Sequence, residues 1–177
     1  LRCVWTTSLS YAGSPIVEGD RLYVAWGYGK PYLSCLYVRS GNILWTYWTS
    51  SNSLGIINPN SLAVADGKLF ACTKNNCCPT TYPAGAVFAL DAYSGGFVWK
   101  SVSESYRSTP PVVRDSVVYF SAVSATDSFM RAVASDSGTL IWEKHGISSC
   151  DYNGAALVGD VLYQPANTMY ALSVTNN

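Results

Sequence analysis

The chain has 177 residues, about half of them apolar and 14% aromatic, with 11 basic side chains against 11 acidic ones and a net charge of zero. That is enough apolar surface for one domain or one compact array of repeats. The sparse, balanced charge gives no electrostatic basis for binding nucleic acid or an anionic membrane, and no apolar run approaches the length that spans a bilayer.

Residues 1–9 contain an apolar pair followed by tryptophan, Cys3-Val4-Trp5, and the arrangement returns as Ile43-Leu44-Trp45, Phe97-Val98-Trp99 and Leu140-Ile141-Trp142. Residues 10–49 hold a first full unit, with short strands predicted at Ser14-Pro15-Ile16-Val17, Leu22-Tyr23-Val24, Cys35-Leu36-Tyr37 and around Trp45. Residues 50–103 repeat it at Ser61-Leu62-Ala63-Val64, Leu69-Phe70-Ala71, Val87-Phe88-Ala89-Leu90 and around Trp99. Residues 104–146 repeat it at Pro110-Pro111-Val112-Val113, Val118-Tyr119-Phe120, Met130-Arg131-Ala132-Val133 and around Trp142. Residues 147–177 give Ala155-Ala156-Leu157-Val158, Val161-Leu162-Tyr163 and Met169-Tyr170-Ala171-Leu172, and then stop.

Every segment is short, β-branched or aromatic, and bounded by turn formers. Asp20, Asp66, Asp115 and Asp160 stand in the turns between first and second strands, where aspartate is ordinary turn chemistry and no convergent oxygen cage for a metal is visible. Ser40-Gly41, Ser94-Gly95 and Ser137-Gly138 precede the outer strands, and Asn176-Asn177 hold the matching place at the end. A period near forty to forty-five residues with four strands per unit is the pattern of propeller blades. The expectation is an all-β, four-bladed β-propeller of four-stranded antiparallel blades. Its fourth blade lacks an outer strand, which residues 1–9 would supply, in the same chain or to a neighbour by strand exchange. The recurring tryptophans are read as inter-blade docking groups. Trp26 and Trp48 do not recur.

The run Ala89-Leu90-Asp91-Ala92-Tyr93-Ser94-Gly95-Gly96-Phe97-Val98-Trp99 resembles the pyrroloquinoline-quinone-type propeller repeat, which ends Ala-x-Asp-x-x-Thr-Gly-x-x-x-Trp. Ala132 to Trp142 fits with Ala134 in place of the aspartate, and Cys35 to Trp45 fits more loosely with Tyr37 there. The resemblance covers essentially the whole chain and fixes the blade type, not the function. It implies, for the quinone dehydrogenases of the family, eight-bladed rings with cofactor and calcium on the axis and an adjacent cysteine pair such as Cys77-Cys78. Four blades, small innermost residues such as Pro110-Pro111 and Ala155-Ala156, and no matching acidic set argue against that carry-over. The chain is therefore expected to be no enzyme and to hold no cofactor or metal. His145 is read as a lone solvated loop residue, and the loop carboxylates Glu104, Asp127 and Asp151 form no evident pair.

Six cysteines, Cys3, Cys35, Cys72, Cys77, Cys78 and Cys150, are read as disulfides of an oxidising compartment, since none has zinc-ribbon spacing. Cys150 is expected near Cys77 or Cys78, Cys72 with the other or with Cys35, and Cys3 as a latch on the ring. The chain begins at Leu1, which is read as processing after a signal peptide and so as a secreted protein. Tyr11, Asn58, Tyr106 and Tyr152 each stand just before a first strand, with Arg107 and Asn153 beside two of them. They would either pack their own blade entrances or ring one channel mouth as a shallow sugar or peptide site. The expected function is a non-catalytic, extracellular structural or protein-interaction module, partnered by proteins that include copies of itself, as in a fibre. A small glycan-binding lectin is the alternative, and a fragment of a quinone-dependent dehydrogenase the second.

Overall fold

The computed structural model describes residues 2–27, 32–49, 54, 56–74, 86–102, 107–123, 127–147 and 154–175. They form β-strands in four antiparallel sheets, one per repeat, and the fold is a four-bladed β-propeller. Blade 1 is β1 (Ile16–Glu18), β2 (Arg21–Trp26), β3 (Tyr32–Tyr37) and β4 (Ile43–Trp48), in that order across the sheet. Blade 2 is β5 (Ile56–Ala65), β6 (Lys68–Lys74), β7 (Ala86–Asp91) and β8 (Phe97–Val102). Blade 3 is β9 (Arg107–Ser108), β10 (Val112–Arg114), β11 (Val117–Val123), β12 (Ser128–Ala134) and β13 (Leu140–His145). Blade 4 is β14 (Ala156–Val158), β15 (Val161–Gln164) and β16 (Tyr170–Ser173).

The local chemistry explains the outline. Asp66-Gly67 and Asp115-Ser116 all take positive φ, the signature of the tight hairpin turn whose twist suits the flanking strands. Blade 3 has five strands because its innermost strand is interrupted. β9 and β10 both pair with β11, separated by Thr109-Pro110-Pro111, where two prolines withhold ladder donors.

The middle strands of blades 2 and 3 are apolar on both faces because both faces are covered. Leu69, Ala71, Phe88 and Leu90 of blade 2 pack against Tyr23, Ala25, Leu33 and Cys35 of blade 1. Phe70, Cys72, Val87, Ala89 and Trp99, on the opposite face, pack against Val118, Phe120, Ala122 and Phe129 of blade 3. Tyr119, Met130, Ala132 and Trp142 of blade 3 meet Leu157, Leu162, Tyr170 and Leu172 of blade 4. Burial of each large side chain contributes about 1.5–3 kcal/mol, so these inter-blade layers are the main stabilising term.

The tryptophans tie blade to blade. Trp45 Nε1 donates to the Ala92 carbonyl at 3.1 Å and Trp99 Nε1 to the Ser135 carbonyl at 2.9 Å, each on the next blade. Each indole lies over the turn glycine beyond its acceptor. A Cβ on Gly95 would sit 2.7 Å from Trp45, and one on Gly138 2.5 Å from Trp99, while both glycines have positive φ. The turn must therefore be glycine for two independent reasons.

The N-terminal segment follows the same rule in part. Trp5 Nε1 donates to the Val38 carbonyl at 2.8 Å, Thr7 Oγ1 donates to the Gly41 carbonyl at 2.7 Å, and Trp5 covers Gly41. Residues 2–9 thus occupy the place of an outer strand preceding blade 1. Among the described residues they carry no strand assignment of their own. The sheet of blade 4 has three strands among the described residues, with β16 at its edge.

Candidate functional site

The mouth residues expected to converge are placed only in part. Tyr11 is exposed and has a positive φ of 54°. Asn58 lies within β5, and Arg107 within β9 opposite Val123, both placed through their backbones. Tyr106, Tyr152 and Asn153 lie outside the described residues, so nothing in the structure gathers the six into a site.

The cysteines depart from the disulfide expectation where they are described. Cys3, Cys35 and Cys72 are free thiols. Cys35 and Cys72 cannot bridge to each other because they belong to different inter-blade layers, Cys35 in the first and Cys72 in the second. Burial pushes both thiols up; for Cys35 the Arg21 guanidinium, 3.5 Å from the sulfur, opposes that shift. Such thiols are poor nucleophiles. Cys77, Cys78 and Cys150 lie outside the described residues.

His145 corrects the sequence reading. It ends β13 and is not a lone loop residue: its Nδ1 is 2.5 Å from Asp127 Oδ2 and its Nε2 is 2.9 Å from Glu143 Oε1. Glu143 is also paired with Arg131. The ladder explains the cluster. Arg131 stands opposite Glu143 and Phe129 opposite His145, so alternate residues of two neighbouring strands share one face. The Asp127 hydrogen bond, with the charges of Asp127 and Glu143, raises the His145 pKa, and the same contact holds the Asp127 carboxyl below its ordinary range. The alternation Asp127-x-Phe129-x-Arg131 and Glu143-x-His145 was the available signal. The group clamps two strands with charge; among the described residues no set of three metal-binding side chains accompanies it.

Asp115 and Asp160 serve the same structural end. Arg114 Nε is 2.9 Å from Asp115 and Arg114 also reaches Asp160 and the Gly159 carbonyl of the next blade. Arg21 lies 4.0 Å over the Tyr93 ring, between blades 1 and 2. Of the two tryptophans that do not recur, Trp26 stacks on Tyr32 with ring centroids 4.6 Å apart and donates to Ser34.

What the fold does present outward is apolar surface in register. The pairs Ile43-Leu44, Phe97-Val98 and Leu140-Ile141 open the outer strands β4, β8 and β13, and all six side chains are exposed, as is Val4 before Trp5. Stacked by the repeat, they make a banded apolar rim along the edge strands, whose outer backbone groups pair with no neighbouring strand among the described residues.

A family model described as "Outer membrane protein assembly factor BamB" matches residues 2–177. No curated protein matches. Among solved structures, BamB from Moraxella catarrhalis is similar with a TM-score of 0.68 at 16% identity, over 97% of this chain and 49% of that one. The computationally designed Ika4 protein is similar with a TM-score of 0.74 at 10% identity, over 98% of this chain and 99% of that one. A quinohemoprotein alcohol dehydrogenase from Pseudomonas putida HK5 is similar with a TM-score of 0.60 at 16% identity, over 82% of this chain and 22% of that one. At these identities the likeness is one of fold, and the chain spans about half of the BamB structure and about a fifth of the dehydrogenase.

Proposed function

The chain belongs to the pyrroloquinoline-quinone-like β-propeller family described as outer membrane protein assembly factor BamB, and from that premise we propose that it is a non-catalytic protein-interaction module of an assembly outside the cytoplasm. The carrying observation is the rim, where Ile43-Leu44, Phe97-Val98 and Leu140-Ile141 lie exposed at matching positions of three blades. Isolated exposed apolar residues need no explanation; the same pair repeated along adjoining edges supports a contact surface. The titratable groups favour the same reading, since His145 is spent on two carboxylates and Cys35 and Cys72 are buried.

The test is cross-linking in the native host with a photoreactive residue at Val98, beside the triple variant Leu44→Ser, Val98→Ser, Ile141→Ser. A defined protein cross-linked at position 98 and lost in the triple variant is the expected result, with the protein recovered from the extracytoplasmic fraction. No rim cross-link together with a glycan-array signal would replace this reading by the lectin. A bound quinone chromophore would replace it by the dehydrogenase fragment. Recovery from the cytoplasm would refute the location.

A further inference from the structure

The outer strands of blades 1, 2 and 3 carry the same irregularity at the same place. Leu36 of β3 stands opposite Ile43 of β4, and the neighbouring Cys35 stands opposite Trp45, so Leu44 is one residue too many for the ladder. Leu90 opposes Phe97 and Ala89 opposes Trp99, which leaves Val98 over. Val133 opposes Leu140 and Ala132 opposes Trp142, which leaves Ile141 over. The second apolar residue before each of these tryptophans is therefore the extra residue of a β-bulge. Leu44, Val98 and Ile141 are 46%, 40% and 47% exposed, and they belong to none of the three inter-blade layers.

The bulge is not needed to aim the tryptophan. Residues opposed in a ladder share a face. With Leu44 removed, Ile43 would still oppose Leu36 and Trp45 would still oppose Cys35, on the face that packs against blade 2. The same holds for Trp99 opposite Ala89, in the layer with blade 3. What the bulge changes is the edge. Among the described residues β4, β8 and β13 are each the last strand of their sheet. A regular apolar strand in that place is a template for pairing with another chain. A bulge bends the strand and interrupts its row of donors and acceptors.

We infer that the three bulges are edge guards. They bar strand addition along the rim, so that the exposed apolar pairs make side-chain contacts with a partner while the edges stay unable to pair with other copies of the chain or with extended peptides. β4 depends on its bulge most, because it has no charged residue, whereas β8 carries Lys100 and β13 carries Glu143 and Lys144. This deepens the contact-module reading and rests on it for the existence of a rim partner; the guard itself rests on the register of the three ladders.

The experiment deletes Leu44, Val98 and Ile141 together and follows weight-average mass by light scattering, with thioflavin fluorescence, over a dilution series. Deletion should raise the mass at least about twofold over that of the parent chain at the same concentration, with a thioflavin signal that the parent lacks. A second variant keeps the deletions and adds Ile43→Lys, Phe97→Lys and Leu140→Lys. These three sites are exposed, and a charge guards an edge by another route, so the mass and the far-UV circular dichroism should return to those of the parent. A deletion variant of unchanged mass, an assembly that the lysines do not reverse, or a thioflavin-positive parent would each overturn the inference. The variant Leu44→Ser, Val98→Ser, Ile141→Ser keeps the bulges and should hold the parent's mass while losing the rim cross-link. A rim without a cross-linked partner beside a deletion variant that still assembles would overturn the contact reading and leave the guard standing, so the two failures are separately visible.

Discussion

Gly95→Ala tests whether the turn glycines are set by the backbone or by the docked tryptophan. Gly95 has φ +74° and Gly67 has φ +70°, so alanine at either position meets nearly the same left-handed strain, about 1–2 kcal/mol. Their surroundings differ. A Cβ on Gly67 meets nothing within 4 Å, whereas one on Gly95 lies 2.7 Å and 2.8 Å from two carbons of the Trp45 indole. The indole cannot withdraw without lengthening its 3.1 Å bond to the Ala92 carbonyl and opening the layer between blades 1 and 2. Overpacking of that kind adds about 1–3 kcal/mol. Urea denaturation should therefore show Gly67→Ala destabilised by about 1–2 kcal/mol and Gly95→Ala by about 2–5 kcal/mol. In a Trp45→Ala background the extra cost of Gly95→Ala should disappear, leaving the backbone strain alone. Equal losses for the two glycine variants, or an extra loss that survives removal of Trp45, would refute the docking argument.

Phe70→Ala should cost about 3–5 kcal/mol, because the ring is fully buried between blades 2 and 3; chemical denaturation with an unchanged m-value checks it. His145, the single histidine of the chain, should titrate above 6.5 by NMR and fall back toward that value in Asp127→Asn. Its folded pKa is raised, so the clamp's contribution is fully present below 6.5 and is lost as pH rises through the folded value. Asp127, whose pKa is depressed, contributes above its ordinary 3.8 and loses that contribution as pH falls through its folded value. An unshifted His145 would refute the clamp. Thiol labelling of the native protein followed by mass mapping should modify exposed Cys3 quickly and Cys35 and Cys72 only on unfolding; fast labelling of Cys72 would contradict its burial.

The blades were readable because a propeller writes its contacts into the period. Trp45 and Trp99 recur with a glycine turn downstream, and each contact they make depends on that spacing. The family followed from the same residues. The place of residues 2–9 was readable only in part: Trp5 recurs with the other tryptophans and docks on blade 1 as Trp45 and Trp99 dock on the blades that follow theirs, but among the described residues the segment carries no strand beside β16. The Asp127–His145–Glu143 clamp was missed because the residues sit 18 and 2 positions apart and meet only through the β12–β13 register. The disulfide reading counted cysteines without their burial, and Cys35 and Cys72 serve as small apolar side chains in separate layers.

Because each blade is held chiefly by the one before it and the one after it, the molecule behaves as a short one-dimensional lattice. Cooperativity in such a lattice is strongest in the interior and weakest at a terminus. Among the described residues, blades 2 and 3 are clamped on both faces, while β14–β16 pack in a single layer and form a three-stranded sheet. Amide protons of β15 should exchange well before those of β6 and β11, and unfolding should fray from the C-terminal end inward.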